Sequence, residues 1–144
     1  MSKSNQKHVY LVEDDIELSK AIRLTLESEK YICTTCFTKE DFFKNIQTYN
    51  LVNKVTASTI ILDIKLGNDS GIDIFNSICS EFDYLIYPVI FLTGHGDINL
   101  ATYSLKNGAF DFLTKPFSES RLLKAIELSM AESQNRIQDK DFIE

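Results

Sequence analysis

Four groups of polar residues each stand directly behind an apolar run. Glu13-Asp14-Asp15 follows His8-Val9-Tyr10-Leu11-Val12, and Asp63 follows Thr59-Ile60-Ile61-Leu62. Thr93 follows Val89-Ile90-Phe91-Leu92, and Lys115 follows Phe110-Asp111-Phe112-Leu113-Thr114. Neighbouring carboxylates repel and tolerate joint ionisation only with a cation between them. Hard oxygen donors suit Mg²⁺, which takes one or two protein carboxylates together with waters and phosphate oxygens. An aspartate beside such an ion can act as a nucleophile and form an aspartyl phosphate. That chemistry needs a hydroxyl donor for a phosphoryl oxygen and a cation for the developing charge, and Thr93 and Lys115 are residues of those types. Taken singly the signals are ordinary: an acidic cluster is commonly a helix cap, and a lysine is usually a surface residue. The weight lies in their joint order, one group behind each run.

For the groups to meet, the runs must be parallel strands of one sheet with the polar residues at its carboxyl edge, where open α/β sheets bind ligands. The segments between the runs read as helices, and strand-helix alternation argues for a parallel sheet built from five βα units. Leu18, Ala21, Ile22, Thr25 and Leu26 recur at helical spacing behind Asp14 or Asp15, either of which can cap the helix. Tyr31 to Cys36 reads as a second strand. Thr38 is placed to cap a helix with Phe42, Phe43 and Ile46 inward, and Tyr49 to Ser58 reads as an irregular link. Ile64 to Gly71 is rich in turn residues, and the helix behind it turns Ile72, Phe75, Ile78, Cys79 and Phe82 inward. Pro88 opens a fourth strand, and Asp97 starts a helix lined by Ala101, Leu105 and Tyr103 that ends at Asn107-Gly108. Ala109 to Leu113 is the fifth strand. Ser118 caps a last helix with Leu122, Ala125, Ile126 and Met130 on its apolar face. From about Ser133 the chain turns polar, as a frayed helix end or a linker, so the organisation is one domain over residues 1–130 with a polar extension over 131–144.

Bulk properties narrow the function classes. The 144 residues suit one core, and a net charge of -6 argues against direct nucleic-acid contact by this segment. No apolar stretch reaches the length of a membrane span, and the polar start carries neither signal peptide nor anchor. Three cysteines fit a reducing compartment better than a disulfide framework. Cys33-Thr34-Thr35-Cys36 has the spacing of redox and zinc motifs, but no second cysteine pair exists, and His8 and His95 have no zinc-like spacing to it. Both thiols therefore read as strand residues, and Cys79 as helix core.

Several stretches together carry a family resemblance. Leu11-Val12-Glu13-Asp14-Asp15, Ile61-Leu62-Asp63, Phe91-Leu92-Thr93-Gly94 and Phe112-Leu113-Thr114-Lys115-Pro116-Phe117 resemble the receiver domain of response regulators, the CheY-like module of two-component signalling. The resemblance covers roughly residues 7 to 130. The runs Leu92 to Asp97 and Lys106 to Phe117 are most similar to receivers of transcription regulators of the LuxR/FixJ type. The family implies a doubly wound, flavodoxin-like (βα)5 fold with five parallel strands in the order 2-1-3-4-5. It implies Mg²⁺ as cofactor and a sensor histidine kinase as the donor that phosphorylates Asp63. It also implies homodimerisation on phosphorylation, cytoplasmic location and DNA contact only through an output domain outside this chain. By the same resemblance Glu13 and Asp14 form the acidic pair. Asp14, Asp63 and the backbone carbonyl of Lys65 ligate the metal, with Glu13 acting mostly through water. Thr93 and Lys115 contact the phosphoryl oxygens, and Asp15 becomes a neighbour or helix cap. Phe112 falls at the aromatic switch position, and Lys115-Pro116 resembles the family's cis peptide.

Gly67 stands where many relatives have proline, which predicts a more flexible loop. Lys65 and His95 are expected to tune the lifetime of phospho-Asp63. The expected role is a self-phosphorylating switch rather than an enzyme acting on other substrates. A stand-alone receiver or adaptor without DNA-binding output is the alternative. An Asp-nucleophile phosphatase is disfavoured because Lys65 occupies the position where that chemistry wants a second aspartate. A pseudo-receiver is disfavoured by the complete set of Glu13, Asp14, Asp63, Thr93 and Lys115. Dimerisation is expected through the last two helices with the fifth strand, or through the first helix with the fifth strand.

Overall fold

The computed structural model describes residues 6–52, 56–81 and 86–143. Among the described residues, seven strands and five α-helices follow one another, with a 3₁₀ turn (His95–Asp97) leading into α4: β1 (His8–Val12), α1 (Ile16–Ser28), β2 (Ile32–Cys36), α2 (Lys39–Val52), β3 (Ser58–Asp63), β4 (Lys65–Leu66), β5 (Asp69–Ser70), α3 (Gly71–Glu81), β6 (Val89–Thr93), α4 (Ile98–Lys106), β7 (Asp111–Thr114) and α5 (Glu119–Ile143). The main sheet is parallel with the order β2-β1-β3-β6-β7. With the two-residue strands β4 and β5 set aside, this is the expected order 2-1-3-4-5. Every residue of β1, β3 and β6 is buried, as parallel strands covered on both faces must be.

Alternation along these strands divides the core in two. Tyr10, Val12, Ile60, Leu62 and Phe91 point to the face covered by Phe42 and Ile46 of α2, Ile74, Phe75 and Ile78 of α3, and Ala101 of α4. Val9, Leu11, Ile61, Ile90 and Leu92 point to the face covered by Ile22 and Leu26 of α1 and by Leu122, Ala125, Ile126 and Met130 of α5. Each fully buried side chain of this kind contributes roughly 1.5–3 kcal/mol, so the two layers hold the strand ends in fixed positions.

Helix ends are built locally. Asp15 caps α1 by accepting from the Leu18 N–H, Thr38 caps α2 through the Asp41 N–H, and Ser118 caps α5 through the Arg121 N–H. α1 ends with Tyr31 N donating to the Leu26 carbonyl and Lys30 N to the Glu27 carbonyl; α4 ends the same way, with Ala109 N to Ser104 and Gly108 N to Leu105. The left-handed residue is Gly108 (φ 111°) in one case and Lys30 (φ 72°) in the other.

Several expectations are corrected. β2 begins at Ile32 and β7 at Asp111, because Tyr31 N and Ala109 N are taken up in those helix ends. α2 continues to Val52, since nothing between Lys39 and Val52 is glycine or proline. Ala21 is exposed and Ser19 is buried in its place. Cys79 is exposed, because α3 buries Gly71, Ile74, Phe75 and Ile78 and the next residue turns away from that stripe. On α4 only Ala101 and Ser104 are buried, while Tyr103 and Leu105 face outward with Ile98 and Leu100. Phe82 lies outside the described residues.

The polar segment past residue 130 continues α5. Ser133 donates to the Ile86 carbonyl and accepts from Ser58 N, Ser129 bonds Thr59, and Ile137 packs against the α2/α3 core. No helix among the described residues is long and apolar enough to cross a membrane.

Candidate phosphoryl-transfer site

The strand register brings the polar groups together. Val12 pairs with Leu62, so Glu13 and Asp63 leave the sheet side by side. Asp63 pairs with Leu92 and Thr93 with Thr114, so Thr93 and Lys115 sit one step further along the same edge. Lys115 N donates to the Thr93 carbonyl (2.7 Å), and the Lys115-Pro116 peptide is cis.

Asp63 is nearly fully buried and its two oxygens are held separately. Oδ1 accepts from Lys65 N (3.1 Å) and Oδ2 from Lys115 Nζ (2.8 Å). The same ammonium donates to Glu13 Oε1 (2.9 Å), and Glu13 Oε2 accepts from Asp15 N (3.0 Å). Oxygens of Glu13, Asp14 and Asp63 all lie within 4.8 Å of one another, with Asp14 exposed and the other two buried. This is an acceptable donor set for a hard divalent cation entering from the Asp14 side.

The electrostatics fit the same reading. Burial pushes the Glu13 carboxyl up to about 7, and its hydrogen bond with Asp63 adds to the rise, against the Asp15 N–H and the Lys115 ammonium. Burial opposes charge on Lys115 as well, but its hydrogen bonds to Asp63 and Glu13 outweigh that and raise its pKa. The geometry puts one fixed positive charge among three carboxyl groups. A divalent cation among these oxygens would lower the Glu13 value and let all three ionise.

The remaining expected residues stand as follows. Thr93 is fully buried, and its hydroxyl donates to the Gly94 carbonyl (3.1 Å). Phe112 is partly buried and packs against the α2/α3 core. Asp15 serves α1 as its cap. The Lys65 side chain reaches Asp97 (3.4 Å), and the side chain of His95 lies outside the described residues. Cys33 packs on the α1/α5 face and Cys36 on the α2/α3 face, so the two thiols point to opposite sides of β2. Burial pushes each up to about 12, which leaves them protonated core residues.

Two glycines belong to the site although their types gave no chemical signal. A Cβ on Gly71 would collide with the Asp63 carbonyl oxygen, so α3 can start against the Asp63 backbone only with glycine there. Gly67 has φ +57° in the tight turn between β4 and β5, and a Cβ there would lie 3.5 Å from Asp14 Oδ2. Proline cannot adopt that φ, so the glycine serves a hairpin turn where the sequence suggested a looser loop.

A profile of the family described as response regulator receiver domain matches residues 9–127. The chain belongs to this family. Over 122 residues the receiver domain is 33% identical to the response regulator protein TodT of Pseudomonas putida, covering 85% of this chain and 50% of TodT. It is 26% identical over 128 residues to the transcriptional regulatory protein FixJ of Bradyrhizobium diazoefficiens, covering 88% of this chain and 58% of FixJ. It superimposes on the signal receiver domain of a putative LuxO repressor protein from Vibrio parahaemolyticus with a TM-score of 0.78 and 29% identity, covering 96% of this chain and 98% of that one. The receiver domain thus spans about half the length of these two curated relatives.

Proposed function

We propose that Asp63 is the phosphoacceptor of this receiver domain and that a sensor histidine kinase is its donor. The clasp on Asp63 carries the reading: Lys115 Nζ at 2.8 Å on one oxygen, Lys65 N–H on the other, and the Glu13 and Asp14 carboxylates alongside. One Asp63 oxygen attacks the phosphorus of a phosphohistidine, the P–N bond breaks, and the imidazole leaves with the electron pair. Lys115 neutralises charge on the phosphoryl oxygens, and Thr93 supplies a hydroxyl once it turns from Gly94. Glu13, Asp14, Asp63 and the Lys65 carbonyl would hold Mg²⁺, which supplies charge neutralisation to the phosphoryl oxygens when bound.

The switch follows from two alternatives for Thr93 and Phe112. Drawing the Thr93 hydroxyl toward a phosphoryl group frees space against which the half-buried Phe112 ring can settle, shifting a two-state equilibrium. The module acts on its own aspartate rather than on other substrates, and it works in the cytoplasm. Phosphorylation favours a homodimer through the α4–β7–α5 face, where Ile98, Leu100, Tyr103 and Leu128 are exposed. We favour this face over the alternative that joins α1 to the last strand, since α1 packs on β1 and β2 while β7 is the opposite edge of the sheet. FixJ is named as a transcriptional regulatory protein, which supports a DNA-binding output domain beyond residue 144, with α5 as the connection.

Incubation with acetyl phosphate tests the reading. With Mg²⁺ the intact mass should rise by one phosphoryl group, and chelation or Asp63→Asn should each abolish the rise. A parent chain that stays unmodified would make this a receiver fold without phosphotransfer.

A further inference from the structure

The carboxylate of Asp97 plays no part in capping the helix that follows it. Asp97 ends the 3₁₀ turn His95–Asp97 that runs into α4, and its side chain makes no capping bond there. It pairs instead with Lys65 Nζ at 3.4 Å. The Asp97 side chain is 13% exposed and the Lys65 side chain 75% exposed, so Asp97 is the seated partner and Lys65 the arm.

The two residues come from adjacent strand ends. Lys65 is two residues past Asp63 on β3, and Asp97 is four past Thr93 on β6, with β3 and β6 paired. The ion pair therefore joins the loop carrying the nucleophile to the loop carrying the hydroxyl, on the edge where both groups emerge. Lys65 is anchored there by its own N–H on Asp63 Oδ1. On the other side, a Cβ on Gly94 would lie 3.9 Å from Asp97 Oδ2, so the carboxylate rests over the residue that follows Thr93.

We infer that Asp97 is a positioning residue that straps Lys65 across the mouth of the site and so prolongs the life of phospho-Asp63. The inference rests on Asp63 being the phosphoacceptor. Loss of the phosphoryl group is hydrolysis: a water oxygen attacks phosphorus, the P–O bond to Asp63 breaks, and the carboxylate leaves. The products are inorganic phosphate and one released proton. The attacking water must come in opposite the Asp63 oxygen, from the solvent side of the edge. A side chain tied across that side lowers the access of water.

The test follows the decay of the phosphoryl group after acetyl phosphate is removed, by intact mass in Mg²⁺ buffer. Asp97→Asn and Lys65→Met should each speed decay about three-fold, the size an exposed pair can supply, and the double variant should be no faster than either. Lys65→Arg should restore a near-parental rate. Raising ionic strength should speed decay in the parent and leave Asp97→Asn unchanged, a response that general loosening of the fold would not give. Unchanged single variants, or effects that multiply in the double variant, would overturn the strap. A parent that accepts no phosphoryl group would overturn the phosphoacceptor reading and the strap with it, and that failure shows at uptake rather than at decay.

Discussion

Asp63 owes its place to neighbours with no chemistry of their own. Gly71 lets the start of α3 touch its carbonyl, and Gly67 lets the hairpin turn pass close to Asp14. Replacing Gly71 with alanine drives a Cβ into backbone, which cannot yield as a side-chain tip can. The expected cost is about 1–3 kcal/mol in urea unfolding, together with impaired phosphoryl uptake because the end of β3 must move. Gly96→Ala is the matching control: nothing lies within 4 Å of the added carbon, and stability should change by no more than about 0.5 kcal/mol. Equal losses in the two variants would contradict this account of Gly71. The chemical residues were legible because carboxylate, hydroxyl and ammonium announce themselves at run ends. Gly71 and Asp97 were not, because their roles depend on which backbone or side chain lies opposite, and that is set by tertiary packing.

At the scale of elements, the strands and most helices were readable from apolar runs and caps, with Asp15, Thr38 and Ser118 placed by their types. Errors fell where a helix end borrows residues from the next strand or where a stripe was read too wide. Cys79 and Leu105 are apolar and near the buried stripe in sequence, but 100° per residue carries them off it. Ser129 and Ser133 went the other way: polar residues made buried by hydrogen bonds to Thr59, Ser58 N and the Ile86 carbonyl. The end of α1 offers a direct test. Lys30 holds the left-handed position that Gly108 holds after α4, and a side chain there is strained. Lys30→Gly should raise stability by about 0.5–1 kcal/mol, the strain relieved exceeding the added freedom of the unfolded chain. Chemical denaturation measures it, and a loss of stability would contradict the assigned geometry.

Across the whole molecule, the chemistry sits at one edge of the sheet and a buried histidine near the other. His8 stacks on Tyr10, bonds the Thr34 hydroxyl at 2.7 Å, and is pushed down to about 4 by burial. A base held neutral in the folded state binds fewer protons than the unfolded chain between about pH 4 and 6.5, so stability rises with pH across that window. The contribution is complete above about 6.5, is lost as pH falls toward 4, and is at most about 3 kcal/mol. Glu13, raised to about 7, acts with opposite sign from about pH 4.5 to 7, binding more protons when folded. Urea unfolding of the parent and His8→Asn at several pH values separates the two: the parent should lose more stability than the variant between pH 6.5 and 4. Parallel curves would contradict a buried neutral His8.

The central claim concerns a single carboxylate, and it can be located chemically. Borohydride reduces an acyl phosphate on aspartate to homoserine, so the chain treated with acetyl phosphate and Mg²⁺, reduced and digested should carry homoserine at position 63. Homoserine at Asp14, Asp15 or another aspartate, or the corresponding 5-hydroxynorvaline at Glu13, with Asp63 intact, would contradict the account.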